Sequence, residues 1–207
     1  METTYSTEKG EIIIRGYSTP EAIRSLEFDD RFGTYAHYKS LYTKRESIEN
    51  IAKIKDTNVV LAIADNRRII GFGVLAYPES GERWEKLGPE MMMEIKALEV
   101  SRNWRTSKIA RQILELLLSS PIIEDKIIYL VGYSWTWDLD GTNLSRQRYR
   151  SMLVHLYESS GFEEYQTNEP NICLKPENFF MGRIGKNVSE EMVKNFKWLR
   201  FDIYPEN

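Results

Sequence analysis

Apolar and polar positions along the chain follow two periods, and each predicts its own elements. Ile12-Ile13-Ile14, inside the segment Gly10 to Tyr17, is a β-branched run and predicts a strand. Thr19-Pro20-Glu21 then reads as a helix start, with a hydroxyl to cap free N–H groups and a proline at the first helical position. Ala22, Ile23 and Leu26 supply that helix's apolar stripe, and the aromatic-rich residues 28–44 fit neither period. Ser47 to Lys55 predicts a second helix, with Ile48, Ile51 and Ile54 at three-residue spacing. Val59–Ile63 and Ile69–Leu75 are two apolar runs around a short turn containing Asp65-Asn66-Arg67-Arg68, the clearest hairpin in the chain.

Beyond a loop over Tyr77–Pro89, the segment Glu94–Val100 predicts a strand. Its alternation sets Glu94, Lys96, Leu98 and Val100 on one face and Ile95, Ala97 and Glu99 on the other. Lys108–Ser119 predicts a helix with a wide apolar face, ended by Ser119-Ser120-Pro121, and Lys126–Tyr133 a further strand. A tryptophan-rich loop, Trp135–Thr142, precedes a helix over Gln147–Ser159, where Gly161 is expected as a left-handed C-cap. Residues 162–184 are expected to hold two strands, with Cys173 as a small strand hydrophobe. Ser189 caps a last helix to Phe201, carrying Met192, Val193, Phe196 and Leu199. Helices interspersed with strands argue for an α/β or α+β fold in a single domain, with a core over about residues 10–184 and a C-terminal helical extension over about 185–207.

Composition narrows the chemistry. A chain of 207 residues can bury a core without disulfides or a structural metal. Lys+Arg is 28 and Asp+Glu is 31, a net charge of −3, which disfavours a general nucleic-acid binder. One cysteine and two histidines exclude an intrachain disulfide and zinc sets built from several Cys or His, so no metal is expected. His37 and His155 have no motif partners and read as surface or packing residues. Acid-base work then falls to carboxylates or tyrosines. Met1–Gly10 is polar and unlike a signal peptide, and no apolar run approaches the roughly 20 residues of a membrane span. With a single thiol as well, the expectation is a cytoplasmic protein.

One window departs from this acidic background. Ser101 to Gln112 holds Arg102, Arg105, Lys108 and Arg111 and no acid, where a strand passes into a helix. A helix N-terminus carries about half a positive charge, so cations in its first turn each cost about 0.3–1 kcal/mol. An anion held on the free N–H groups reverses that penalty; a solvated basic face is the alternative. Arg105-Thr106-Ser107-Lys108-Ile109-Ala110 resembles the acyl-CoA motif of the GNAT superfamily of N-acetyltransferases: Arg or Gln, two residues, Gly, one residue, then Gly or Ala. Arg105 and Ala110 match, and Lys108 stands at the glycine position. Downstream, Leu156-Tyr157-Glu158-Ser159-Ser160-Gly161-Phe162 looks like the ending of that superfamily's following helix, and the order of elements over residues 58–175 is similar to it.

Longer segments resemble the acetoin-utilisation acetyltransferases, a bacterial branch of the superfamily. They are Glu82-Arg83-Trp84, Glu94–Val100, Trp135–Thr142, Arg183–Ser189 and Leu199-Arg200-Phe201. The resemblance implies a GNAT fold, a mixed central sheet flanked by helices, with an extra C-terminal helix. It also implies a protein lysine acetyltransferase that uses acetyl-CoA and inactivates AMP-forming acetyl-CoA synthetase. The co-substrate would lie on Leu98, Val100, Arg105, Thr106, Ser107, Lys108, Ile109, Ala110 and Arg111.

Transfer to lysine needs a neutral amine, and deprotonating one costs about 4.6 kcal/mol at pH 7. Glu94, eleven residues before Arg105, matches the superfamily's catalytic base. A glutamate of ordinary pKa is a weak base, so the role asks for partial burial. Glu99, on the other face, is expected to pair with Arg102 or support the fold. Tyr157 matches the position whose hydroxyl approaches the coenzyme sulfur; a core aromatic on the face of Met152, Leu153 and Leu156 is the alternative. Trp135, Trp137 and Asp138, with Asp140, are candidates for a substrate-facing wall, against a packed loop. Gly182 and Gly185-Lys186 fail the spacing of a phosphate loop, and Gly71-Phe72-Gly73 lacks a dinucleotide site's third glycine. Two rival functions remain on sequence alone: acetylation of a small amine, and a catalytically silent acyl-CoA-binding regulator.

Overall fold

The structure, a computed structural model, describes residues 1–32, 34–35, 38–39 and 45–203, with backbone alone for 34–35 and 38–39. His37 and the extension's last residues, 204–207, lie outside the described residues. The chain forms two compact units: residues 1–76 with 95–120, and residues 77–94 with 121–207.

In the first unit, β1 (Glu2–Thr7) and β2 (Gly10–Arg15) make an antiparallel hairpin, Thr7 opposite Gly10. The sequence of β1 shows only a polar segment. Its residues carry no apolar face, and the strand exists through its ladder to β2 and an Arg15–Glu2 ion pair of 2.7 Å. Thr19 caps α1 (Pro20–Arg24) as expected, its hydroxyl accepting from Ala22 N at 3.3 Å. β3 (Glu27–Phe28) runs parallel to the later hairpin, and β4 (Thr34–Tyr35) pairs with β5 (Tyr38–Lys39).

Helix α2 (Arg45–Ile51) stops four residues short of the expected Lys55. Thr57 Oγ1 donates to the carbonyls of Ile51 and Ile54, at 2.9 and 2.8 Å, closing the last turn, and Ile54 is left exposed. The expected hairpin is present as β6 (Asn58–Ala64) and β7 (Arg68–Ala76), turned by Asp65 and Asn66, both left-handed at φ 54°. β2 pairs with β6 on the side away from β7. Strand β8 (Met92–Val100) enters this unit from Ile95 onward.

Helix α3 (Ile109–Leu117) lies on β7, and the two strand glycines explain how closely. A Cβ on Gly73 would sit 2.6 Å from Ile113 Cγ2 and 2.7 Å from Leu117 Cδ1; one on Gly71 would sit 3.0 Å from Ile113 Cδ1. Gly71-Phe72-Gly73 is therefore the seat of α3. Gly73→Val is expected to lower stability by about 1–3 kcal/mol through overpacking, read as a fall in Tm on thermal denaturation.

The second unit holds the start of β8, paired in parallel with β9 (Ile127–Gly132) over Met92–Glu94 and Ile127–Tyr129. β10 (Glu163–Glu164) and β11 (Phe179–Ile184) come next, and β11 lies antiparallel between β9 and β10. Helix α4 (Arg146–Glu158) is capped by Ser145 and closed by Gly161 at φ 84°. A short helix, α5 (Pro170–Cys173), occupies part of the stretch expected to be strand. Glu169 caps it and Pro170 starts it, so Cys173 is an exposed helical residue rather than a strand hydrophobe.

Ser189 caps α6 (Glu190–Leu199), whose Phe196 and Leu199 are buried with Trp84, Leu87, Met92, Ile127, Tyr129 and Phe180. The run Arg183–Ser189 wraps the 3₁₀ turn Pro121–Asp125. Glu124 takes Arg183 and Lys186 N, which hold its carboxyl below the usual range, and a Cβ on Gly185 would lie 2.4 Å from Glu124 O.

Candidate active site

The basic turn belongs to the first unit. β8 ends at Val100, and the almost fully buried Ser101 anchors the chain as it leaves the strand. Its N–H donates to Ile70 O at 2.8 Å and its hydroxyl to Asp29 Oδ1 at 2.6 Å. A 3₁₀ turn, Arg102–Trp104, buries Trp104, and Lys9 Nζ sits over that ring, 5.4 Å from its centre. Arg105 Nε folds back onto Val100 O at 3.2 Å. Thr106 and Lys108 are both left-handed, at φ 71° and 57°.

Lys108 is the residue before α3 and makes no side-chain cap, and the helix's first turn contains no acid. Ile109 turns into the core, while Ser107 and Ala110 are half-buried and Thr106 and Lys108 exposed. The first N–H groups of α3 thus begin at a left-handed residue with a cationic side chain and no anionic one, which suits a phosphate. Lys108 occupies the conformation that glycine adopts without strain, at a cost of about 1–2 kcal/mol. Arg111 is paired along its own helix with Glu115 at 3.0 Å. Leu98 and Val100 are half-buried on β8, as are Lys96 and Glu99.

The candidate base belongs to the second unit. Glu94 is half-buried, and its register partner on β9 is Tyr129, so the two side chains leave the sheet on the same face. Tyr129 is fully buried against Trp84 and Phe180, and its hydroxyl donates to Glu82 Oε2 at 3.3 Å. Burial raises the Tyr129 hydroxyl far above its usual range; the charges of Glu94 and Glu82 and the bond to Glu82 push the same way. Tyr133 is raised too, by burial and then by Glu169, Glu94 and Glu82. Two phenols held neutral thus stand among the carboxylates of Glu82, Glu94 and Glu169.

Of these residues only Glu94 is legible as chemistry in the sequence. Glu82 appears there as part of a similar segment, and Tyr129 and Tyr133 merely as strand residues. The available signal is two tyrosines four positions apart in the expected strand Lys126–Tyr133, although the strand itself ends at Gly132.

The other expected site residues have varied surroundings. Tyr157 is buried on α4 with its ring edge-on to Phe162. Burial, then Tyr149, raises its hydroxyl, which stays protonated at neutral pH. Trp137 is buried between Tyr149 and Phe179, and Asp138 is buried with Oδ1 accepting from Gly141 N at 3.1 Å. Trp137 thus packs against α4 and β11, and Asp138 turns back onto its own loop. Trp135 is half exposed, stacked on Tyr133 with Lys175 Nζ 4.6 Å from its ring centre, and Asp140 is exposed. His155 is on the surface beside Glu158. Among the described residues no group of three or more His, Cys, Asp or Glu is arranged to hold a metal ion, and no helix is long and apolar enough to cross a membrane.

No family model matches the chain. It is 32% identical over 195 residues to acetoin utilization protein AcuA of Bacillus licheniformis, covering 94% of this chain and 91% of that one. The crystal structure of an acetoin utilization protein from Exiguobacterium sibiricum superposes with a TM-score of 0.87 at 28% identity, covering 97% of this chain and 94% of that one. An acetyltransferase of the GNAT family from Streptococcus pneumoniae shares the fold, with a TM-score of 0.52 at 17% identity over 84% of this chain and 99% of that one.

Proposed function

The chain belongs to the acetoin utilization family of GNAT-fold N-acetyltransferases, and on that footing we propose that it transfers acetyl from acetyl-CoA to a protein lysine, in the cytoplasm, with AMP-forming acetyl-CoA synthetase as the target. The observation that carries the chemistry is Glu94 in register with the buried Tyr129, beside Glu82. This cluster suits an ammonium, the form a lysine side chain takes at neutral pH.

Acetyl-CoA supplies an acyl group already activated as a thioester. The turn 105–108 and the first N–H groups of α3 bind its phosphates, with Arg105 and Lys108 as the cations and the half-buried Leu98 and Val100 beside the acyl arm. Glu94 takes a proton from the acceptor ammonium, directly or through a water, leaving the amine free to attack the thioester carbon. The new N–C bond forms as the C–S bond breaks, the sulfur departs as thiolate, and the second proton of the attacking nitrogen passes to that thiolate or to water. Tyr157, kept protonated, serves as a hydrogen-bond donor. It is a weaker acid than a thiol of pKa near 8.5, so full proton transfer to the thiolate is not required of it.

Labelled acetyl-CoA incubated with the protein and purified acetyl-CoA synthetase is expected to label a synthetase lysine, mapped by mass spectrometry. Label on free amines with an unlabelled synthetase would overturn the protein target. Binding of acetyl-CoA without any transfer would overturn the enzymatic reading.

A further inference from the structure

We propose that Glu82, held against Tyr129 by the 3₁₀ turn Arg83–Leu87 and the C-terminal helix α6, is a positioning residue for the acceptor lysine and acts through the Tyr129 hydroxyl on Glu94. This rests on the reading of Glu94 as base.

The geometry has three parts. Glu94 and Tyr129 are register partners on parallel strands, so carboxylate and phenol share a face. The Tyr129 hydroxyl donates a hydrogen bond to Glu82 Oε2 at 3.3 Å, which fixes the buried phenol on the face that carries Glu94. That distance is longer than an ordinary O–H···O bond, and such bonds tighten when substrate arrives.

Third, Glu82 is fixed from behind. It opens the 3₁₀ turn, and Arg83 Nη1 donates to Asn168 Oδ1 at 2.6 Å and to Arg200 O, at the end of α6, at 3.1 Å. Trp84 stacks on Phe180 at 4.5 Å, and Leu87 is buried with Phe196 and Leu199 of α6. The extension beyond the last strand thereby sets the position of a carboxylate in the acceptor site.

The chemistry comes from charge. Glu94 and Glu82 both act on the Tyr129 hydroxyl, so an arriving ammonium is drawn by two carboxylates rather than one. The proton passes from the ammonium to Glu94, and Tyr129 keeps its own. The other titratable groups that act on this cluster are Tyr133, from just beyond β9, and Glu169, before α5.

The test is steady-state kinetics of the full chain with a lysine-containing protein acceptor across pH, for Glu82→Gln, Glu82→Asp, Tyr129→Phe and Glu94→Gln. Glu82→Gln is expected to lower kcat/KM for the acceptor about ten-fold, a value typical of a lost charged hydrogen bond, with KM for acetyl-CoA unchanged. Removing a neighbouring negative charge makes the base easier to ionise, so the acid limb of the profile moves to lower pH. Glu82→Asp regains part of the rate, and Tyr129→Phe weakens the effect of Glu82→Gln in the double variant. A Glu82→Gln profile that keeps its acid limb, with loss confined to Tm, overturns the proposal. A Glu94→Gln enzyme with parental turnover overturns instead the reading on which it rests.

Discussion

Glu94→Gln is expected to lower turnover by about 10²–10⁴-fold, the range supplied by a positioned general base, while leaving coenzyme affinity nearly unchanged. The substitution keeps the shape of the side chain and removes only its ability to accept a proton. Glu94 lies on the second unit's part of β8, in register with Tyr129, whereas the basic turn is built from residues 101–108 of the first unit. Loss of the base should therefore appear in kcat and in kcat/KM for the acceptor, with little change in binding of acetyl-CoA. The pH profile gives the sharper reading, because the parental rate should fall at low pH as Glu94 protonates. A variant whose rates match the parent's across pH 6–9 would remove Glu94 from the mechanism.

The second large effect is expected at the turn. Arg105→Ala and Lys108→Gly each remove a cation from the N-terminus of α3. Charge-assisted hydrogen bonds contribute about 1.5–3 kcal/mol, so each variant should weaken coenzyme A ten-fold or more in calorimetric titration. Glycine is the better replacement at Lys108, since φ 57° suits it and the turn keeps its path. Arg105 also holds Val100 O, so part of its effect will come through a looser strand end. Lys108→Gly isolates the charge. Affinity equal to the parent's in both variants would reject the anion site and leave the four cations as a solvated face.

How far the sequence reaches depends on whether a feature is local. Thr19-Pro20, Ser145 with Gly161, and Ser189 mark their helices in the sequence because a cap is made between residues two to four apart. The hairpin over residues 58–76 is legible for the same reason, as two apolar runs around Asp65-Asn66. The elements that escape a sequence reading are mostly those whose cause lies elsewhere in the chain. β1 has no apolar alternation and is a strand because β2 supplies its partners. α5 does carry a local start signal, Glu169-Pro170, but it is one short turn set between stretches that read as strand.

The site divides in the same way. Glu94 and the turn 105–111 lie within one short stretch, so the resemblance to acyl transferases carries both roles onto it together. The pairing of Arg111 with Glu115 is local too, an i,i+4 contact along the expected helix. Trp137 and Asp138 are candidates to face a substrate because an aromatic-rich loop reads alike whether packed or exposed; here both are buried. Gly71 and Gly73 resemble part of a nucleotide motif, and their cause is a helix about 40 residues further on, whose Ile113 and Leu117 leave no room for a Cβ.

The mixed α/β class, the shortage of His and Cys chemistry, the carboxylate at Glu94 and the cationic strand-to-helix turn are all written in the order of the amino acids. They come from composition and from contacts between near neighbours along the chain. It took the folded chain to show that Tyr129 stands beside Glu94, that Glu82 closes on its hydroxyl, and that α6 holds the 3₁₀ turn bearing Glu82. Strand register and packing bring together residues separated by dozens of positions, and no period or spacing in the sequence encodes which of them will meet.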